Sequence, residues 1–171
     1  MENVALKKWI RFLVVVLPVV IADQGAKMLA VGHIGFAESI EIIPGFFYLT
    51  HLYNTGGAFG LAAQAAPWIR ILLFLVVSGI AAVIVLILYK KTPYESRWFS
   101  LALCLIFSGA VGNLIDRVFR DGRVVDFLEI YFPMIPMNLF NPWPPFNIAD
   151  SAISVGVAVL TLYFITGKDP L

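Results

Sequence analysis

Two short stretches of this chain set carboxylates in hydrocarbon: Val124-Val125-Asp126-Phe127 and Phe146-Asn147-Ile148-Ala149-Asp150. Two acids held by neighbouring helix ends suggest a shared proton and a bound water, one carboxyl ionised to take a proton and the other protonated to give one. Asp150 falls in the first turn of an expected helix, where the dipole favours a carboxylate, and Asn147 three residues earlier is placed to cap it. Asp126, beside Phe127 and two valines, is in drier company. These surroundings and mutual repulsion push the two pKa values apart, with Asp126 the expected holder of the proton, although a coupled pair titrates as a unit. Spacing alone leaves a second reading open: interfacial acids that reach out to water.

Other polar residues also interrupt apolar sequence. An Asp in the middle of a membrane span costs about 2.5–3.5 kcal/mol on insertion scales, which makes such residues functional candidates. Asp23 and Lys27 are four apart with the acid first, so they either pair on one helix face or Lys27 reaches towards a lipid phosphate or a substrate backbone. Asn113, Asp116 and Arg117 share a helix face; they either lock a helix bundle by hydrogen bonds or touch substrate, and both readings turn Asn113 to the bundle interior. Ser108 and Gly112 form a small-xxx-small pair that admits a close helix neighbour. Asn54, followed by Gly56 and Gly57, reads as a turn when taken alone.

The elements that must position these residues are long and apolar. Of 171 residues, 60% are hydrophobic and 13% charged, too apolar for a soluble domain, so a polytopic membrane protein is the expected class. The net charge of +1 gives no sign of a nucleic-acid partner. The single cysteine, Cys104, excludes an intramolecular disulfide and a thiolate metal cluster, and His33 and His51 form no zinc-protease motif. Spans are expected at about 9–30, 68–89, 98–115 and 148–166, each near the roughly 20 residues that cross the hydrocarbon layer. Basic residues precede the first span, but no small-x-small cleavage site follows, so an uncleaved anchor is expected. Four spans put both termini on one side. Lys7, Lys8, Arg11, Lys90, Lys91, Arg97 and Lys168 fall there, which makes that side cytoplasmic. Arg70, Arg117, Arg120 and Arg123 fall on the other, the last three interleaved with acids as site or surface pairs.

The two outward segments are the longer ones. Residues 39–43 and 46–53 flank Pro44-Gly45 and read as a hairpin or small curled sheet. The glycine-rich stretch 54–60 follows, then a short helix-capable stretch, 61–66. Residues 127–146 are aromatic but carry five prolines, which predicts an irregular loop at headgroup level anchored by Tyr131 and Trp143. No repeat or linker divides the chain, so 1–171 is expected to form one integral membrane domain.

Taken in order, Asp23 to Lys27, Asn54, Gly-Asn-Leu-Ile-Asp-Arg at 112–117, Val-Val-Asp-Phe at 124–127 and Phe-Asn-Ile-Ala-Asp at 146–150 resemble the bacterial lipoprotein signal peptidases. That family, signal peptidase II, consists of intramembrane aspartic proteases, and the resemblance covers most of the chain. It implies four transmembrane helices with a small extracytoplasmic β-cradle near 39–53 and a short extracytoplasmic helix near 57–66. It implies a catalytic Asp126 and Asp150, with Asp23, Lys27, Asn54, Asn113, Asp116, Arg117 and Asn147 lining or supporting the site. The implied substrate is a prolipoprotein, cut before a cysteine that carries diacylglycerol, in the bacterial inner membrane. Inhibition by the cyclic peptide globomycin is implied as well; membrane lipids are the expected surroundings, no metal or cofactor is required, and a monomer is expected. Two features depart from the family pattern: Ser108 stands where glycine is common, and the 128–145 loop is longer and richer in proline and methionine.

Two other classes stay in view at this point. A proton- or cation-coupled transporter could use Asp23, Asp116, Asp126 and Asp150 as a relay, although these acids lie at the outer ends of spans instead of the midplane. A structural membrane protein could use the same residues only to lock its bundle. A serine mechanism through Ser151 lacks a general base placed by the sequence.

Overall fold

The computed structural model describes residues 2–56, 66–132 and 141–167. The expected short helix near 57–66 lies almost wholly outside the described residues, as do the middle of the proline-rich loop and Lys168. Among the described residues there are four long helices: α1 (Glu2–His33), α2 (Pro67–Lys91), α3 (Arg97–Phe119) and α4 (Ile148–Thr166). Three of them contain stretches long and apolar enough to cross a membrane: Ile71–Lys91, Arg97–Phe119 and Ile148–Thr166. Only 6% of the apolar window in the first is buried inside the protein. Exposed Leu72, Val76, Ile80, Val83 and Ile87 therefore need hydrocarbon around them, because a soluble monomer does not present so large an apolar face.

Helix α3 is the central post, packed against each of the other three. Glycine allows a close approach on two sides of α3. A Cβ on Gly109 would collide with the Ala149 carbonyl of α4, and one on Gly112 would come within 2.7 Å of Asp23 Oδ2 and 3.2 Å of the Ala149 methyl. The close approach thus runs through Gly109 and Gly112. Ser108, expected to share that role, is buried and returns its hydroxyl to the Cys104 carbonyl at 2.6 Å. At the far end Phe12, Val16, Tyr89, Leu103 and Cys104 form an apolar core that joins α1, α2 and α3. There Lys8 donates to the Lys90 carbonyl at 3.0 Å and Arg11 to the Tyr94 carbonyl at 2.8 Å. The basic start of α1 and the basic α2–α3 connection are therefore at the same end of the bundle.

The other end carries a four-stranded antiparallel sheet in the order β1 (Ser39–Ile43), β2 (Phe47–Asn54), β3 (Val124–Ile130), β4 (Trp143–Phe146). The β1–β2 hairpin forms where the sequence predicts it, turning through Gly45 at φ +67°. The rest corrects the expectation of an irregular loop over 127–146. Its first residues belong to β3, which pairs with β2 through Leu52↔Asp126 and Asn54↔Val124, and its last form β4. Pro144 and Pro145 are tolerated because β4 is an edge strand, where a missing N–H breaks no inner ladder. Helix α3 also runs to Phe119, past the expected end near 115.

Candidate active site

The site is built where the outer parts of α1 and α3, the start of α4 and strand β3 converge. Its base is a buried ion cluster. Lys27, fully buried, lies 2.8 Å from Asp23 Oδ2 and 3.1 Å from Asp116 Oδ2, both also fully buried, and donates to Asn113 Oδ1 at 3.0 Å. One buried cation between two carboxylates is tolerable only when hydrogen bonds satisfy the remaining lone pairs. The backbone supplies them: Ala149 N donates to Asp23 Oδ1 at 2.9 Å, and Val125 N to Asp116 Oδ2 at 3.0 Å.

Above this base, asparagines hold the two remaining aspartates. Asn147 caps α4: its Oδ1 accepts from Asp150 N at 2.9 Å while Asp150 Oδ2 accepts from Asn147 N at 3.3 Å, a reciprocal capping box. Its Nδ2 donates to Asp126 Oδ1 at 2.8 Å and lies 3.2 Å from both Asn113 Oδ1 and the Val125 carbonyl. Asn113 Nδ2 donates to Asp150 Oδ1 at 2.8 Å. The Asn54 side chain accepts from Gly56 N at 2.8 Å and hydrogen-bonds Asp126. Asp126 is 3% exposed. Burial, and then the charge of Asp150, push its carboxyl up to about 7, against the opposing pull of Asn54, Asn147 and Lys27.

Asp126 and Asp150 open on one cavity of about 940 Å³, whose other walls include Leu52, Asn54, Phe146 and Ser154. A smaller hollow of about 450 Å³, lined by Ala30, Ile34, Leu49 and Phe127 among others, is almost wholly apolar. Successive strand residues point to opposite faces, which separates Phe127 from Asp126. Two titratable carboxyls, carboxamides on both and a roomy cleft suit acid–base hydrolysis of an extended peptide.

A family model described as signal peptidase (SPase) II matches residues 15–166. The chain belongs to the signal peptidase II family. Among its relatives, the lipoprotein signal peptidase of Desulforapulum autotrophicum is 46% identical over 89% of this chain and 90% of that protein. That of Geobacter sulfurreducens is 41% identical over 88% and 89%. A bacterial membrane enzyme solved by the in meso method at 1.9 Å superposes with a TM-score of 0.77 at 30% identity, covering 92% of this chain and 94% of that one. The chain is accordingly an integral membrane protease, helical with a small antiparallel sheet.

For this family member the structure brings together most of the residues singled out from the sequence. Lys27 does not reach outward; it is the buried partner of Asp23 and Asp116. Asn54 is both a turn residue and a contact of Asp126. Arg117 donates to the Asn113 carbonyl at 3.3 Å, with its guanidinium 5.8 Å from the Phe74 ring centre. Neighbours on a helix point about 100° apart, and Asp116 faces α1. Arg117 Nε is buried with no hydrogen-bond partner among the described residues, in the field of Asp150, Asp116 and Asp126. Sequence reading passed over Gln24, whose amide touches Asp23, Gly112 and Asp116. Its position beside Asp23, one polar residue more than an ion pair needs, was the available signal.

Proposed function

We propose that this protein removes the signal peptide from diacylglyceryl-modified prolipoproteins, cutting before the lipidated cysteine with Asp126, Asp150 and one activated water. The observation that carries this reading is the convergence of the two aspartates, from β3 and α4, on one cavity with Asn147 bonded to both. In the proposed reaction ionised Asp150 takes a proton from water as the water oxygen attacks the scissile carbonyl carbon. Protonated Asp126 gives its proton to the carbonyl oxygen, which yields a gem-diol. On collapse the C–N bond breaks, Asp150 passes its proton to the leaving nitrogen, and Asp126 recovers one from the diol hydroxyl. No metal, cofactor or covalent intermediate is needed.

The supporting roles follow from the bonds each residue makes. Asn113 and Asn147 hold the carboxylates, Asn54 holds Asp126, and Asp23, Lys27 and Asp116 anchor the backbone beneath. Arg117, whose buried Nε has no partner among the described residues, is assigned to the substrate backbone or lipid ester. The proposed arrangement in the membrane is a single domain with four spans. In it, α1 is the fourth span, admitted because its acid and base are buried against α3. Both termini face the cytoplasm of a bacterium, the chain lies in the inner membrane, and the dyad opens to the extracytoplasmic side, where substrate arrives laterally from lipid. Globomycin-type cyclic peptides would compete for the same cavity, and the working unit is a monomer.

The test is a gel-shift cleavage assay in proteoliposomes with a prolipoprotein in its diacylglyceryl-modified and unmodified forms. Cleavage of the modified form, at least about tenfold faster than the other, is expected if the lipid contributes binding energy to the transition state. Folded protein that cuts neither form contradicts the reading.

A further inference from the structure

Gln24 lies on α1 between two residues of the ion cluster's reach, half-buried, and its Nε2 faces three acceptors. Asp23 Oδ2 is 3.1 Å away, Asp116 Oδ1 3.0 Å and the Gly112 carbonyl 3.0 Å. Because all three neighbours only accept, the amide must turn its NH₂ towards them. We propose that Gln24 is a positioning residue for the catalytic pair, its carboxamide clamping the two carboxylates that hold the backbone just ahead of Asp126 and Asp150. The inference rests on the reading of Asp126 and Asp150 as that pair.

The two backbone contacts are alike. Asp116 accepts from the N–H of Val125, one residue before Asp126, and Asp23 from the N–H of Ala149, one residue before Asp150. The orientation of these two carboxylates therefore sets where both aspartates start. Lys27 draws them together as a point charge, but its ammonium touches only one oxygen of each, Oδ2. On Asp116 the other oxygen, Oδ1, has among the described residues Gln24 at 3.0 Å and, apart from it, Arg120 Nε at 3.9 Å, beyond hydrogen-bond reach. Without the Gln24 amide the Asp116 carboxylate can turn about its Cβ–Cγ bond, and the Val125 N–H goes with it. Gln24 also ties α1 to α3 through the carbonyl of Gly112, where a Cβ would come within 2.7 Å of Asp23 Oδ2. A small loss of alignment between reacting groups lowers the rate of the chemical step while leaving the remote binding contacts in place.

The experiment measures kcat, KM and the melting temperature of purified full-length protein on diacylglyceryl-modified prolipoprotein for wild type, Gln24→Met and Asp150→Asn. For Gln24→Met, kcat should fall about five- to tenfold with KM within about twofold and the melting temperature within a few degrees. An unchanged kcat, or a raised KM with kcat intact, overturns the proposal. If Gln24→Met does not fold, Gln24→Glu replaces it: it keeps the shape but sets a carboxylate against Asp23 and Asp116, and kcat must fall further. If neither variant folds, Gln24 belongs to the fold and not to the site, and the proposal falls. Failure of the underlying reading is distinct, because full cleavage by Asp150→Asn removes the dyad itself, whereas an inert Asp150→Asn beside a fully active Gln24→Met removes only the positioning role.

Discussion

At the scale of single residues, one carboxyl has surroundings that keep its proton near neutral pH. Burial and the neighbouring Asp150 raise Asp126 to about 7. If Asp126 is the general acid, kcat/KM should fall about tenfold per pH unit above that region as the pair loses its shared proton. A profile flat to pH 9 would contradict the assignment. Stability should follow the same group. A carboxyl raised on folding binds its proton more tightly in the native state, so its contribution is present below the unfolded value near 4 and is lost as pH rises towards 7. Wild type should therefore lose melting temperature between pH 5 and 7 relative to Asp126→Asn; parallel curves would refute it. Asn113 joins the two halves of the site, accepting from Lys27 and donating to Asp150 Oδ1. Asn113→Asp turns that donor into a second carboxylate facing Asp150, and steady-state kinetics should show a loss of about a hundredfold in kcat.

At the scale of elements, α3 carries the burden, because α1 and α4 must both reach it to complete the site. Gly112→Ala would place a methyl 2.7 Å from Asp23 Oδ2 and 3.2 Å from the Ala149 methyl, on the two sides that hold the site. The expected result is a cleavage rate down more than about tenfold together with a lower melting temperature, read by the gel assay and thermal unfolding, since overpacking costs roughly 1–3 kcal/mol. The four long helices were legible because continuous apolar runs bounded by charges and prolines leave few alternatives. The Asn147 cap was legible from its position just before an apolar run. The membership of Asp126 in a sheet was not. Its partner strand β2 lies some seventy residues earlier, and a lone Val-Val-Asp-Phe carries no signal of which strand it pairs with. The prolines of 142–145 also read locally as breaks, and only an edge position in the sheet makes them compatible with a strand. The bifurcated role of Gln24 was hidden for a similar reason: its partners on α3 are nearly ninety residues away.

At the scale of the whole molecule, the basic start of α1 and the site lie at opposite ends of the bundle. Lys8 and Arg11 pack at the α2–α3 connection, whereas the buried ion cluster and the sheet sit at the other end. With the basic end cytoplasmic, a cysteine introduced by Lys91→Cys should react with an impermeant thiol reagent only from the cytoplasmic face, and one introduced by Ser39→Cys only from outside. Native Cys104 is buried and should stay silent. The reverse labelling would invert the proposed topology and put the site on the wrong side for exported lipoproteins. The exposed apolar residues of β1 and its flanks, such as Phe36, Ile40 and Ile42, suit a sheet resting in the membrane surface, so activity should require detergent or lipid. The most direct test of the central claim is the cleavage rate of Asp150→Asn beside wild type on diacylglyceryl-modified prolipoprotein, with melting temperatures measured on the same samples. Wild type should cleave, and an equally stable variant should be at least about a thousandfold slower, as expected when a member of a catalytic unit is removed. Wild-type-like cleavage by Asp150→Asn would contradict that claim.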